Sequence, residues 1–253
     1  MSTVSISLGE VAASLALVAI AAAVSLWRRA GLELDIGVAV LRSFLQLVAV
    51  GYVIQAIFDS DSLWLVALLL VVMVAFGSAT ARGRASAVPR ALGPIVFALS
   101  VAAAVTLGLV LALGVFAAEP RYLVPVGGMV IGNAMTATAV ALNRLADEVH
   151  DGRGQIEASL ALGATSRQAS QRLVTRSLRS GMIPLIDSTK TTGVVFFPGT
   201  MVGMLIAGAD PVDAVRLQLV LLWVLLGSVA LASLIAVALG ARGFFTPAHQ
   251  LRE

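Results

Sequence analysis

Few side chains in this chain could perform chemistry. The sequence has no cysteine and two histidines, His150 and His249, so thiolate nucleophiles, thiolate metal sites and disulfides are excluded. A hydrolase needs a nucleophile with a base, or a metal with its ligands. Both histidines lie outside the apolar stretches, and no pair of carboxylates lies in the middle of one. The residues therefore favour binding or transport over catalysis.

Polar groups inside two apolar stretches are candidates for binding. Arg42 lies about five residues into one stretch, and Gln46 follows one helical turn later. Asn133 and Thr136 lie in the middle of another, beside several glycines. Their amide and hydroxyl oxygens suit a passing cation. Alternatively, Asn133 and Gln46 hydrogen-bond across helix contacts, and Arg42 extends its charge to the membrane surface.

Met135 lies between Asn133 and Thr136 and is one of five methionines in the same half of the chain. Thioethers suit soft ions such as Cu(I), but methionines more often fill gaps in packing. We therefore assign no metal ligand and keep Met135 only as a candidate for lining a substrate path.

Asp187 and Lys190 are three residues apart, so they can neutralise each other within one helical turn. The surrounding Ser-Thr-Lys-Thr-Thr-Gly segment superficially resembles a phosphate loop. A Walker loop needs glycine immediately before the lysine and again five positions earlier, where this chain has Thr189 and Pro184. We therefore expect no bound ATP, and we expect the pair to anchor a helix at the cytoplasmic interface.

The elements that must position these residues are membrane spans. Hydrophobic residues make up 59% of the 253 and charged residues 12%, whereas soluble domains are about half apolar and a quarter charged. The stretches lack the alternation of β-barrel strands. A span needs about 20 apolar residues, and seven stretches qualify: Val11–Trp27, Gly37–Phe58, Leu63–Ala81, Leu92–Ala118, Tyr122–Leu142, Thr191–Ala209 and Leu217–Leu239. The expected fold is all-α and polytopic, forming one transmembrane domain over residues 1–253.

The basic residues predict the orientation. Between these stretches, fourteen lysines and arginines fall on one side and only Arg121 and Arg216 on the other. The positive-inside rule places the basic side in the cytoplasm. We therefore expect a multi-pass membrane protein with its N-terminus outside and its C-terminus in the cytoplasm.

The longest connection, residues 143–190, predicts a cytoplasmic insert. Residues 155–162 are mostly strong helix formers, so they predict a short helix that Gly163 can end. Thr165 or Ser166 can cap a second, basic helix, which Gly181 and Pro184 are expected to end or kink. The basic face alone would also suit a helix resting on anionic lipid headgroups.

Pro198 and Gly199 fall inside the sixth predicted span. Proline removes a backbone donor and glycine permits a sharp bend. Such breaks serve as hinges in transporters or as packing kinks, and we favour a hinge.

The sequence resembles known transporters in one short motif and also over nearly its whole length. Glu157, Ala158, Leu162 and Gly163 are similar to the Glu-Ala-Ala…Gly motif of ABC-transporter permeases, whose coupling helix docks on an ATPase. Over nearly the whole chain, the sequence resembles the FetB-type permease family of iron exporters and plant aluminium-tolerance proteins. The segments that carry this wider likeness are "RSFLQLVAVGY", "GNAMTAT" and "MIPLIDSTKTTGVVFFPGTMVGMLIAGADP".

The resemblance implies a permease dimer on a separate FetA-type ATPase that binds the ATP and Mg, in a complex surrounded by membrane lipids. The expected cargo is a metal ion such as iron, exported from the cytoplasm. Alternatives are a nucleotide sugar or other small molecule, or a secondary transporter without an ATPase. No nucleic acid is expected as a partner.

Overall fold

The structure, a computed structural model, describes residues 7–252. This part of the chain confirms the predicted all-α class, with isolated β-bridges but no longer strand. Nine helices follow one another within it: α1 (Leu8–Arg28), α2 (Glu33–Ser60), α3 (Leu63–Arg84), α4 (Leu92–Ala112), α5 (Pro120–Asp151), α6 (Arg153–Ala161), α7 (Ser166–Thr191), α8 (Gly199–Ile206) and α9 (Pro211–Arg242).

The two longest helices both begin at an acid–proline pair. α5 starts at Pro120 after Glu119, and α9 starts at Pro211 after Asp210. Proline suits the first position because its φ is already helical and its missing N–H needs no partner there. The Asp210 carboxylate also accepts a hydrogen bond of 2.8 Å from the Val212 N–H. Each helix has 32 residues, so each is about 48 Å long.

α5 and α9 form the centre of the bundle, and α3, α4 and α7 pack around them. Many of the buried positions are alanine, such as Ala98, Ala134, Ala141 and Ala236. Small residues let membrane helices approach closely. We call the end of the bundle that carries α6 the α6 end.

α1 and α2 lie largely outside this bundle. α2 contacts it at the end opposite α6, where Ile57 packs with Val66 and Val124. Ile57 is the only buried residue that α2 contributes among the described side chains. The remaining faces of α2 are therefore open to lipid or to another chain.

Six of the described helices are long and apolar enough to cross a membrane: α1 to α5 and α9. The predicted continuous span over Thr191–Ala209 is wrong. α7 ends at Thr191, residues 192–198 are irregular, and α8 then makes a short helix. The backbone cannot continue as a right-handed helix because Gly193 has a φ of +83°.

The predicted insert is built from the ends of two long helices joined by α6. α5 continues to Asp151 without a break. Gly163 follows α6 with a φ of +89°, and Thr165 caps α7 through a capping box with Gln168, both as predicted.

The expected end of the second helix at Gly181 and Pro184 is wrong, because one helix continues to Thr191 with Pro184 inside it. The alternative, a kink at these residues, stays a prediction. Gly181 instead allows α7 to lie against Ala137 of α5 and Ser233 of α9. This close packing supports the helix through the proline.

Candidate functional site: a polar face on α5 and α7

α5 and α7 run antiparallel and side by side. Arg176 of α7 pairs with Glu148 of α5, and five residues further along α7, Gly181 contacts Ala137. This register brings Asn133 and Ser188 to the same level. A cavity of about 190 Å³ opens there. Its lining includes Asn133, Thr136, Val140, Pro184, Ser188 and Val229. We call the three polar side chains among them, Asn133, Thr136 and Ser188, the polar face.

The polar atoms of this cavity present oxygen to it. The Nδ2 of Asn133 donates to the Met129 carbonyl at 2.9 Å, and the Thr136 hydroxyl donates to the Gly132 carbonyl at 3.1 Å. Asn133 thus uses one of its two amide hydrogens within its own helix. Its Oδ1 and the lone pairs of the Thr136 hydroxyl remain available as acceptors. Such a surface suits a donor group or a cation.

Met135 does not belong to this cavity. It is half-buried on the other side of α5, where its sulfur lies close to Gly77 of α3. The packing places it among apolar side chains of the core. The sequence could not separate it from its neighbours, because adjacent helical positions point in different directions.

The Asp187–Lys190 ion pair forms as predicted, with Lys190 Nζ 3.2 Å from Asp187 Oδ1. The pair lies near the end of α7 that is remote from the α6 end, two and five residues past Leu185, which packs against the cluster containing Val130. The side chains are 61% and 70% exposed. A role for this pair as an anchor at the cytoplasmic interface stays a prediction.

The helix breaks directly after the pair. The N–H of Gly193 donates to Phe196 rather than back to Thr189. No backbone N–H in the described part of the chain donates to the carbonyls of Thr189 and Lys190, so these carbonyls are free to bind another group.

Pro198 and Gly199 lie at the far side of this break. Pro198 occupies the N-cap position of α8 and Gly199 is its first residue, so no helix runs through them. A hinge at these two residues stays a prediction.

Arg42 and Gln46 lie apart from the polar face. Both are exposed on α2, whose contact with the bundle is confined to the end opposite α6. Within residues 7–252, no ion pair includes Arg42. The structure of a single protomer does not bring them to Asn133.

A second candidate site is the turn between α6 and α7. Leu162 is 90% exposed at its tip, although leucine usually avoids water. Ala158 and Gly163 beside it are exposed too. Glu157 is held by Arg153, with 2.9 Å between the Nε and Oε1 atoms. The turn therefore offers an apolar tip flanked by an ordered carboxylate.

The C-terminal segment lies against this turn, which the sequence did not indicate. Both the backbone N–H and the hydroxyl of Ser166 lie within hydrogen-bond distance of His249 Nδ1, at 3.3 and 3.0 Å. Phe245 anchors the segment in the core and pairs with Leu251. This histidine thus supports the start of α7.

Glu148 was also missed by sequence reasoning. Its side chain is 7% exposed and accepts from Arg144 at 2.6 Å and from Arg176 at 3.1 Å. The first pair has the i,i+4 spacing that could have indicated it. The second depends on the fold, and it links α5 to α7 close to the α6 end.

A resident metal centre is not formed by the usual ligands. No group of three His, Asp or Glu side chains with suitable geometry occurs in the part of the chain that the structure describes. Any metal that contacts the polar face would meet amide and hydroxyl oxygens.

These features define a multi-pass membrane protein with a polar face on α5 and α7 and an exposed turn at one end. The chain belongs to the uncharacterised protein family UPF0014, whose model matches residues 8–245. No solved structure matches the chain.

Three relatives cover most of this chain. The UPF0014 membrane protein STAR2 of Oryza sativa subsp. japonica is 43% identical over 95% of this chain and 85% of its own length. The protein ALUMINUM SENSITIVE 3 of Arabidopsis thaliana is 39% identical over 95% and 88%. The probable iron export permease protein FetB of Escherichia coli (strain K12) is 37% identical over 96% and 93%.

Proposed function

We propose that this chain is the permease subunit of an ATP-driven exporter that moves metal cations such as iron out of the cytoplasm. A separate FetA-type ATPase would bind the ATP and Mg and would drive a dimer of the permease. Likeness to the probable iron export permease FetB supports the class of cargo.

The exposed turn between α6 and α7 carries the proposal. An apolar side chain that is 90% exposed, as Leu162 is, gains most when it enters a groove on a partner. Fully burying a leucine side chain is worth about 1.5–3 kcal/mol. The Arg153–Glu157 pair holds α6 in register beside it, so the turn is already in shape for docking.

α7 is the element that would carry movement of the turn into the membrane. It begins beside Leu162 and continues for 26 residues, or about 39 Å. Glu148 ties it to α5 near the α6 end, and Gly181 lies against α5 and α9 further along. A displacement of the turn would therefore reach the polar face through one continuous helix.

The proposed orientation places the α6 end in the cytoplasm, in a bacterial plasma membrane. The arginines of α7 and the C-terminal Arg242 and Arg252 lie toward this end, as the positive-inside rule requires. The ATPase would then meet the turn from the side where ATP is available.

The test is ATP hydrolysis by the ATPase subunit reconstituted with the full-length chain. We expect Leu162→Ala to weaken assembly about tenfold or more, because it removes most of a side chain worth about 1.5–3 kcal/mol when buried, and to abolish stimulation of hydrolysis. Leu34→Ala is the matched control, since Leu34 is 83% exposed on α2. Equal hydrolysis and assembly for both variants would contradict the proposal.

A further inference from the structure

We propose that Asp187 is the binding site for the transported cation and that Lys190 is its resident counter-ion, which the cargo displaces. This inference rests on the proposed function in one respect, namely that the chain moves cations. It adds a site, a ligand class and an exchange step.

The depth of the pair is the first observation. Asp187 lies six residues beyond Gly181 on α7, about 9 Å further from the α6 end. The next residue, Ser188, lines the same cavity as Asn133 of α5. Asn133 is eleven residues from one end of the apolar stretch 122–142 and nine from the other, so about 14–16 Å from each. The pair is therefore near the middle of the bilayer.

The exposure of the pair is the second observation. Charged groups at this depth are costly in hydrocarbon, and they almost always face a cavity or another protein surface. Asp187 and Lys190 are 61% and 70% exposed in the single protomer. Lipid is a poor neighbour for such a pair, whereas a water-filled path is a good one.

The position of the pair at a helix break is the third observation. The free carbonyls of Thr189 and Lys190 lie within one turn of Asp187. Interrupted helices at mid-membrane bind ions in transporters through such carbonyls. The Asp187 carboxylate and these backbone carbonyls offer only oxygen, which hard cations prefer.

Lys190, the only lysine in the chain, makes binding reversible. Its ammonium neutralises Asp187 when no cargo is present. A divalent cation must displace it to reach the carboxylate, and the returning ammonium then favours release. A transport site needs this balance between entry and exit, and a flexible lysine supplies the competing charge without leaving the protein.

The test is titration of the purified full-length chain in lipid nanodiscs with Mn(II), whose free-ion EPR signal falls on binding. We expect Asp187→Asn to weaken Mn(II) binding at least tenfold and Asp187→Glu to retain most of it. We expect Lys190→Gln to tighten binding several-fold, because no ammonium then competes. A purely structural ion pair gives no tighter binding when its lysine is removed.

Asp213→Asn is the matched control. Asp213 and Arg216 form an exposed pair with the same i,i+3 spacing and the same 3.2 Å separation, but in the first turn of α9. The Mn(II) affinity of Asp213→Asn should match that of the unmodified chain within about twofold, which is the scatter expected of surface substitutions.

Three results would overturn the inference: no Mn(II) binding by the unmodified chain, equal binding by Asp187→Asn, or dissociation of protomers in Lys190→Gln without tighter binding. The last would mark the pair as a contact between copies. Because the titration contains no ATPase, it separates this inference from the proposed function. Leu162→Ala should bind Mn(II) normally even though its coupling is lost.

Discussion

α7 lies close to α5 and α9 at Gly181, and replacing this glycine tests the packing directly. A Cβ added there would lie 2.8 Å from the Ala137 carbonyl oxygen, 2.8 Å from the Ala141 Cβ and 3.4 Å from the Ser233 Oγ. Carbon atoms prefer separations of about 3.5–4.0 Å. The nearest atoms belong to backbone and to a Cβ, which cannot rotate away, so Gly181→Ala must push α7 outward.

The magnitude follows from two opposing terms. Overpacking typically costs about 1–3 kcal/mol, while alanine gains about 1 kcal/mol over glycine in a helix. Gly227→Ala in α9 is the matched control, because nothing lies within 4 Å of its added Cβ. Both variants share the helical gain, so their difference isolates the steric cost of about 1–3 kcal/mol.

The assay is thermal or denaturant unfolding of the full-length chain in the same detergent or nanodisc for both variants. We expect Gly227→Ala to be at least as stable as the unmodified chain and Gly181→Ala to be less stable than Gly227→Ala by the amount above. Transport by the assembled complex should also fall in Gly181→Ala, because α7 would be displaced along its length. Equal stability of the two variants would refute the helix crossing described here.

Three further changes test the α6 end. Glu148→Gln leaves Arg144 and Arg176 without their shared carboxylate. We expect a loss of about 1–2 kcal/mol in the free energy of unfolding, less than for a fully buried charge, because both arginines are half-exposed. If chemical denaturation shows no loss, Glu148 does not link α5 to α7 as described. Gly163→Ala forces a side chain into a φ of +89°, so it should cost about 1–2 kcal/mol and reduce stimulated ATP hydrolysis; unchanged hydrolysis would show that the turn shape is irrelevant. His249→Ala removes the contacts to Ser166 and should speed hydrogen exchange at the start of α7 with little change in global stability; unchanged exchange would mean that the segment does not support the turn.

Much of the fold follows from local patterns. Apolar length predicted six of the spans because a bilayer requires about 20 apolar residues whatever the neighbours are. Gly163 and Thr165 were read correctly as a helix end and a cap, because both depend on backbone geometry within a few residues.

The errors arose where tertiary packing decides. Gly181 and Pro184 looked like helix breakers, but contacts with α5 and α9 keep α7 intact past them. The span over Thr191–Ala209 was read from hydropathy alone, which does not report that Gly193 reverses the backbone.

The central claim is that a separate ATPase drives this chain through the turn between α6 and α7. Because the chain has no cysteine, a single Ala161→Cys substitution, at an exposed position beside Leu162, permits site-specific cross-linking in membranes that contain both subunits. We predict an efficient cross-link from this position to the ATPase and none from Asp61→Cys, which lies at the opposite end of the bundle. No cross-link from Ala161→Cys, or a cross-link from Asp61→Cys instead, would contradict the account.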